Sequence, residues 1–124
     1  MNSLTVVAVF GFLGVMARYG VDKIFNNPDQ AFPVTTFLIN IIGSFLAGLF
    51  FVLGEKQMIN SSLQIGLLVG FCGGFTTFSA YTLQSFNLLN EGKYIPSLVY
   101  FIGSPILALI STAIPILLVK KFVN

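Results

Sequence analysis

The side chains best able to do chemistry in this chain are neutral hydrogen-bond donors set among apolar residues. Asn40 follows Thr36 by one helical turn, and Tyr100 and Ser104 stand at i and i+4 with Ser111 near the same face. Thr76, Thr77, Ser79, Thr82 and Ser85 come just after a glycine-rich run. Each offers an N–H or O–H. No carboxylate lies among them, since Asp22, Asp29, Glu55 and Glu91 fall in polar connections or at their edges. Donors without fixed negative charge suit a small anion, whereas proton-coupled transport generally uses a buried acid or His. Ser and Thr in membrane helices also bond back to their own preceding turn, so every hydroxyl has a structural reading too. Asn40 stands apart, because its amide cannot be satisfied within its own turn.

The elements that must position these groups follow from composition. Of 124 residues, 56% are hydrophobic and 8% charged, against about 25% charged in an ordinary soluble domain. Mean hydropathy is +0.93. Ten charges cannot cover a small soluble fold, so the chain belongs in a lipid bilayer. With no His, Ser–His–Asp triads and imidazole metal sites are excluded. The single Cys72 excludes an internal disulfide and any Cys-x-x-Cys motif. A net charge of +2 with no basic run argues against nucleic acid as a partner. The chain does not read as an enzyme.

Uncharged stretches run over residues 2–17, 30–54, 57–90 and 94–119. A membrane-crossing helix needs about 20 apolar residues, so the second and fourth stretches fit one span each. The first fits if Arg18 sits at its end and snorkels to the interface. It does not read as a cleavable signal peptide, having neither a basic leader nor a small-x-small cleavage site. The third stretch predicts one crossing over about residues 62–89, broken near Gly73 and Gly74, where three glycines fall within five residues. Non-helical backbone at membrane depth survives only where protein or a water-filled path satisfies it, and broken helices hold ion sites in transporters. Gly66, Gly70 and Gly74 are equally a small-xxx-small packing face. The expectation is an all-α membrane protein, a single four-helix transmembrane domain over residues 1–124 with the third helix broken mid-membrane.

Alternating helices put Lys56, Lys120 and Lys121 on one side, and Arg18, Lys23 and Lys93 on the other. Orientation usually follows such loop charges, and three against three leaves no bias. The chain is therefore expected to insert both ways up and to pair with an inverted copy. Gly43-x3-Ala47 and Ser44-x3-Gly48 in the second helix permit close approach of a neighbour. Phe71, Phe75 and Phe78 recur at helical spacing; they either pack or turn a positive ring edge toward an anion. Arg18 either anchors the span at the interface or draws anions to a pore mouth.

Three motifs then carry a resemblance: Gly14-Val-Met-Ala-Arg18-Tyr19, Asn40-Ile-Ile-Gly43-Ser44-Phe45, and Gly70-Phe-Cys-Gly-Gly-Phe-Thr-Thr-Phe-Ser79. The sequence resembles the bacterial Fluc fluoride channels, the CrcB family, over essentially its whole length. The resemblance implies an antiparallel, dual-topology homodimer in the bacterial inner membrane, with two fluoride pores and a structural central Na⁺. It implies Phe78 and Tyr81 as pore aromatics and Asn40 as a donor from the partner's second helix. Tyr100 and Ser104 form a polar track, Ser79 and Thr82 accompany the pore, and Arg18 stands at the vestibule. It places Na⁺ on the backbone carbonyls of Gly73 and Thr76. Two departures stand out. Tyr81 replaces the usual Phe and adds a hydroxyl, so that reverting it to Phe is expected to be mild. Ala108 stands where another hydroxyl would extend the Tyr100–Ser104 row.

The implied function is passive fluoride export. A small dual-topology drug/proton exchanger would share the size and helix count, yet it needs a membrane-embedded acid, and none is in the spans. An accessory membrane subunit has no use for Asn40 or for a broken third helix.

Overall fold

The computed structural model describes residues 2–123, all of whose regular structure is helical. α1 (Ser3–Phe25) starts at Asn2, whose side chain accepts from the Thr5 N–H at 2.8 Å. It runs through Arg18 and ends two turns later. The helix therefore outruns the uncharged stretch, and Arg18 turns toward the third span, where its Nε donates to Gly74 O at 3.0 Å.

The connection to α2 (Val34–Glu55) turns at Asn27, whose side chain accepts from the Asp29 N–H. α2 closes with Gln57 at φ 57°, in the left-handed region, where the N–H of Met58 returns to Leu53 C=O at 2.9 Å. Asn60 then caps the third span through the Leu63 N–H at 2.8 Å.

That span covers Ser61–Asn90 in pieces. α3 (Ser61–Ile65) leads into a wide π-type stretch, Gly66–Cys72, and then α4 (Gly73–Phe75). Thr76 and Thr77 are extended, and α5 (Phe78–Asn90) resumes. Gly92, at φ 76°, ends α5 as only glycine does without strain. α6 (Tyr94–Phe122) carries Pro105 and Pro115 inside it. All four spans are long and apolar enough to cross a bilayer.

The break lies at Thr76–Thr77 and not at Gly73–Gly74, which are helical. The glycines serve packing instead. A Cβ on Gly74 would come within 2.6 Å of Gly11 O, and one on Gly70 within 2.9 Å of Val7 O. A Cβ on Gly14 would collide with the Phe71 carbonyl. The stripe thus lets two backbones nearly touch, a gain that outweighs the low helix propensity of glycine. Ser44-x3-Gly48 is likewise used inside the chain: Gly48 packs on the backbone of Thr112, whose hydroxyl donates to Ser44 O at 3.0 Å. Ser111 Oγ donates to Ile41 O at 2.8 Å.

Arg18 and Lys23 both lie in the last turns of α1 and Lys120 and Lys121 in the last turn of α6, so with Lys56 and Lys93 the basic residues remain close to balance between the two sides. Lys120 pairs with Glu55 at 3.1 Å, joining the ends of α6 and α2 on one side. The buried hydrophobic cluster is small: Tyr81, Leu88 and Tyr100, flanked by Phe32 and Phe37. Most other large apolar side chains face outward, as lipid solvation allows.

Candidate functional site

The break is held open by one side chain from α2. Asn40 Nδ2 donates to Thr77 O at 3.1 Å, and Asn40 Oδ1 accepts from the Thr77 N–H at 2.8 Å. The amide that cannot be satisfied in its own turn is satisfied by the backbone of another helix. One Nδ2 hydrogen remains to offer. Thr76 Oγ1 donates back to Cys72 O at 2.8 Å, and Thr77 Oγ1 caps α5 by accepting from the Ala80 N–H at 3.2 Å.

These diversions leave carbonyls behind. In an unbroken helix Thr77 N–H would serve Gly73 O, and Ala80 N–H would serve Thr76 O. The first is given to Asn40 and the second to Thr77 Oγ1, so Gly73 and Thr76 both lose their helical donors. A third freed carbonyl, Gly74 O, is taken by Arg18 Nε at 3.0 Å. Arg18 is thus half-buried against the end of α4, not extended into solvent.

Gly73, Thr76, Asn40, Phe78, Tyr81 and Ser104 all line one groove of about 450 Å³ between α2, the third span and α6. None of its lining residues is charged. Phe78 is 77% exposed beside it, while Tyr81 is 5% exposed. Their rings lie 5.6 Å apart, and Tyr81 also packs on Tyr100 at 5.3 Å. The Tyr81 hydroxyl donates to Phe101 O. Phe71 and Phe75 pair with each other at 5.7 Å, with Phe75 buried, so of the three spaced phenylalanines Phe78 is the one on the groove.

Ser104 is buried, and its Oγ has no hydrogen-bond partner among the described residues. A buried hydroxyl left unpaired is costly, so the wall of the groove holds a donor with no acceptor of its own. Tyr100 lies behind the groove, fully buried, and donates to Gln84 Oε1 at 2.8 Å. Gln84 Nε2 in turn donates to Thr36 Oγ1 at 2.8 Å. Gln84 also lines a second, polar pocket of about 340 Å³ beneath the first connection, with Asn87 and Lys93. The sequence reading passed over Gln84. The criterion that singled out Asn40, an amide that its own turn cannot satisfy, applies equally to it.

Other expected members stay apart. Thr82 Oγ1 donates to Ser79 O within its own helix, and Ser79 Oγ lies 3.3 Å from Thr77 Oγ1, so neither lines the groove. Ser85 and Ser97 are structural, with Ser97 Oγ donating to Ser85 O at 2.8 Å.

The chain also matches known proteins over most of its length. Residues 5–116 match the family described as CrcB-like protein, Camphor Resistance (CrcB). A protein of Helicobacter acinonychis named fluoride-specific ion channel FluC is 40% identical over 119 residues, 94% of each chain. A protein of Saccharophagus degradans with the same name is 35% identical over 118 residues, 94% of this chain and 89% of its own. Another, of Helicobacter pylori strain G27, is 38% identical over 120 residues, 94% of this chain and 92% of its own. On a match that spans nearly all of its length and all four of its membrane helices, this chain belongs to the CrcB family.

Proposed function

We propose that the chain is a fluoride-selective channel of the bacterial inner membrane, exporting fluoride passively. The observation that carries this reading is the groove, where hydrogen-bond donors and aromatic rings converge without a carboxylate. Neutral HF crosses membranes and dissociates inside, so fluoride needs an exit path of its own. Fluoride is small and strongly hydrated, and a pore must replace its water with donors. Ser104 Oγ and the spare Asn40 hydrogen are such donors, and the ring edges of Phe78 and Tyr81 add positive potential. Beyond them, the Tyr100–Gln84–Thr36 chain continues toward the polar pocket at one mouth. The guanidinium donors of Arg18 not used by Gly74 O attract anions at the vestibule.

The groove is open on one side, and we take a second copy, inverted, to close it. This reading rests on the exposure of Phe78 and the near balance of loop charges. The resemblance gives Asn40 to the partner's pore, whereas in this chain it lines the same groove as its own Phe78. In the pair, the partner would therefore close each groove over that chain's own Asn40 and Phe78. The Gly73 and Thr76 carbonyls fit the Na⁺ that the family resemblance implies, since both have lost their helical donors and both residues line the groove. Four such oxygens from two chains, without a carboxylate, suit a monovalent cation better than Ca²⁺. The ion would offset the carbonyl dipoles and hold the copies together.

The test is efflux from proteoliposomes with fluoride and chloride electrodes. Rapid fluoride loss with little chloride loss and no response to a pH gradient is expected; proton-driven accumulation of fluoride overturns the reading. Two lysines added to the Lys56–Asn60 turn should force one orientation and leave little activity, restored by co-expression with an oppositely biased variant. Full activity from the single-orientation form rules out the inverted pair. Replacing Na⁺ by a large organic cation should lower the melting temperature of the pair; an unchanged value removes the cation from the account.

A further inference from the structure

Pro105 lies inside α6, one residue beyond Ser104 and on the groove. Proline has no N–H, so the carbonyl four residues earlier, that of Phe101, has no helical partner. At membrane depth no water replaces it, and an unsatisfied carbonyl is costly. The donor that reaches Phe101 O is the hydroxyl of Tyr81 from α5. The same ring stacks on the Phe101 ring, with planes 6° apart and centroids 5.7 Å apart, and is 5% exposed.

We propose that Tyr81 is a positioning residue, whose hydroxyl supplies the hydrogen bond that Pro105 removes from the fourth membrane-spanning helix. This locks α5 to α6 beside the groove and keeps the Phe101 carbonyl paired. A phenol has a single proton to donate. Given to Phe101, that proton is not offered to the ion, and Tyr81 lines the groove without it. The expectation that Tyr81→Phe is mild is thereby reversed: the ring survives, but Phe101 O is left without a donor and the tie between α5 and α6 beside the groove is lost.

The functional half of this proposal rests on the fluoride-channel reading, and the experiment separates the two. Fluoride efflux is measured for the parent, Tyr81→Phe, Pro105→Ala and the double variant, each normalised to assembled protein from size exclusion. Pro105→Ala returns a backbone N–H to Phe101 O, so it makes the hydroxyl redundant. Loss of the hydroxyl should slow efflux about tenfold with Pro105 present, the scale of one buried hydrogen bond, and less than about twofold in the Pro105→Ala background. Equal slowing in both backgrounds, or none with Pro105, overturns the proposal. Should the parent itself pass no fluoride, the channel reading fails alone. The melting temperatures of the same four proteins then decide the lock, with non-additive losses supporting it and additive ones refuting it.

Discussion

Toward α1, the third span presents Gly66, Gly70 and Gly74; toward the groove it presents Gly73, Thr76 and Thr77. The first face is close-packed, Gly70 and Gly74 meeting α1 backbone and Gly66 the side chains of Val6 and Phe10, with Gly14 and Gly11 facing it from α1. The second is polar, and its backbone groups are claimed by side chains from elsewhere or left with lost partners. Glycines one residue apart, Gly73 and Gly74, fall on opposite sides of this division. A Cβ on Gly74 meets backbone, whereas one on Gly73 finds nothing nearer than 3.9 Å. The comparison shows that glycine content located the close approach, while threonine with a distant asparagine located the opening.

Substitutions on the two faces should therefore fail in different ways. The largest effect is expected from Gly14→Val, whose Cβ would collide with the Phe71 carbonyl, a backbone atom that cannot swing aside. Overpacking there should cost about 3 kcal/mol or more and remove monodisperse protein from size exclusion. A normally assembled Gly14→Val protein would break the division.

Next is Asn40→Asp. The carboxylate still accepts the Thr77 N–H, so the break and assembly should persist, but it brings negative charge and loses the amide donors. Fluoride efflux should fall by about two orders of magnitude, as one uncompensated charge in a low-dielectric path demands. Undiminished flux would return Asn40 to a purely structural role.

Phe78→Ile should assemble normally, because 77% of the side chain is exposed in the single chain, and should slow efflux about tenfold through loss of the ring's positive edge. If it conducts normally, the ring belongs to packing and the polar face shrinks to Asn40 and Ser104. The smallest effects sharpen the contrast within α6. Ser104→Ala removes an unpaired hydroxyl on the groove, so it should reduce flux a few-fold without loss of stability. Ser111→Ala removes a bond to Ile41 O and should cost about 1 kcal/mol by thermal unfolding, with flux unchanged. Equal behaviour of the two serines would dissolve the distinction.

What the sequence by itself determined is whatever depends on local composition. Four apolar stretches bounded by charges dictate four spans, because hydrocarbon leaves the backbone no alternative to helix. The absence of His and of intramembrane acids limits the chemistry to neutral donors, and Asn40, Phe78, Tyr81 and Ser104 could be named as groove residues from type and motif. The tertiary structure decided everything that depends on which distant atom answers which. The break falls three residues beyond Gly73 because Asn40, in another helix, pairs with Thr77. Arg18 turns inward because the break frees the Gly74 carbonyl 56 residues away. Gln84 joins the polar line because Tyr100 and Thr36 converge on it, and the Tyr81 hydroxyl finds its acceptor where Pro105 withdraws a donor. In each case a buried polar group must be satisfied, and local sequence states the need without naming the partner.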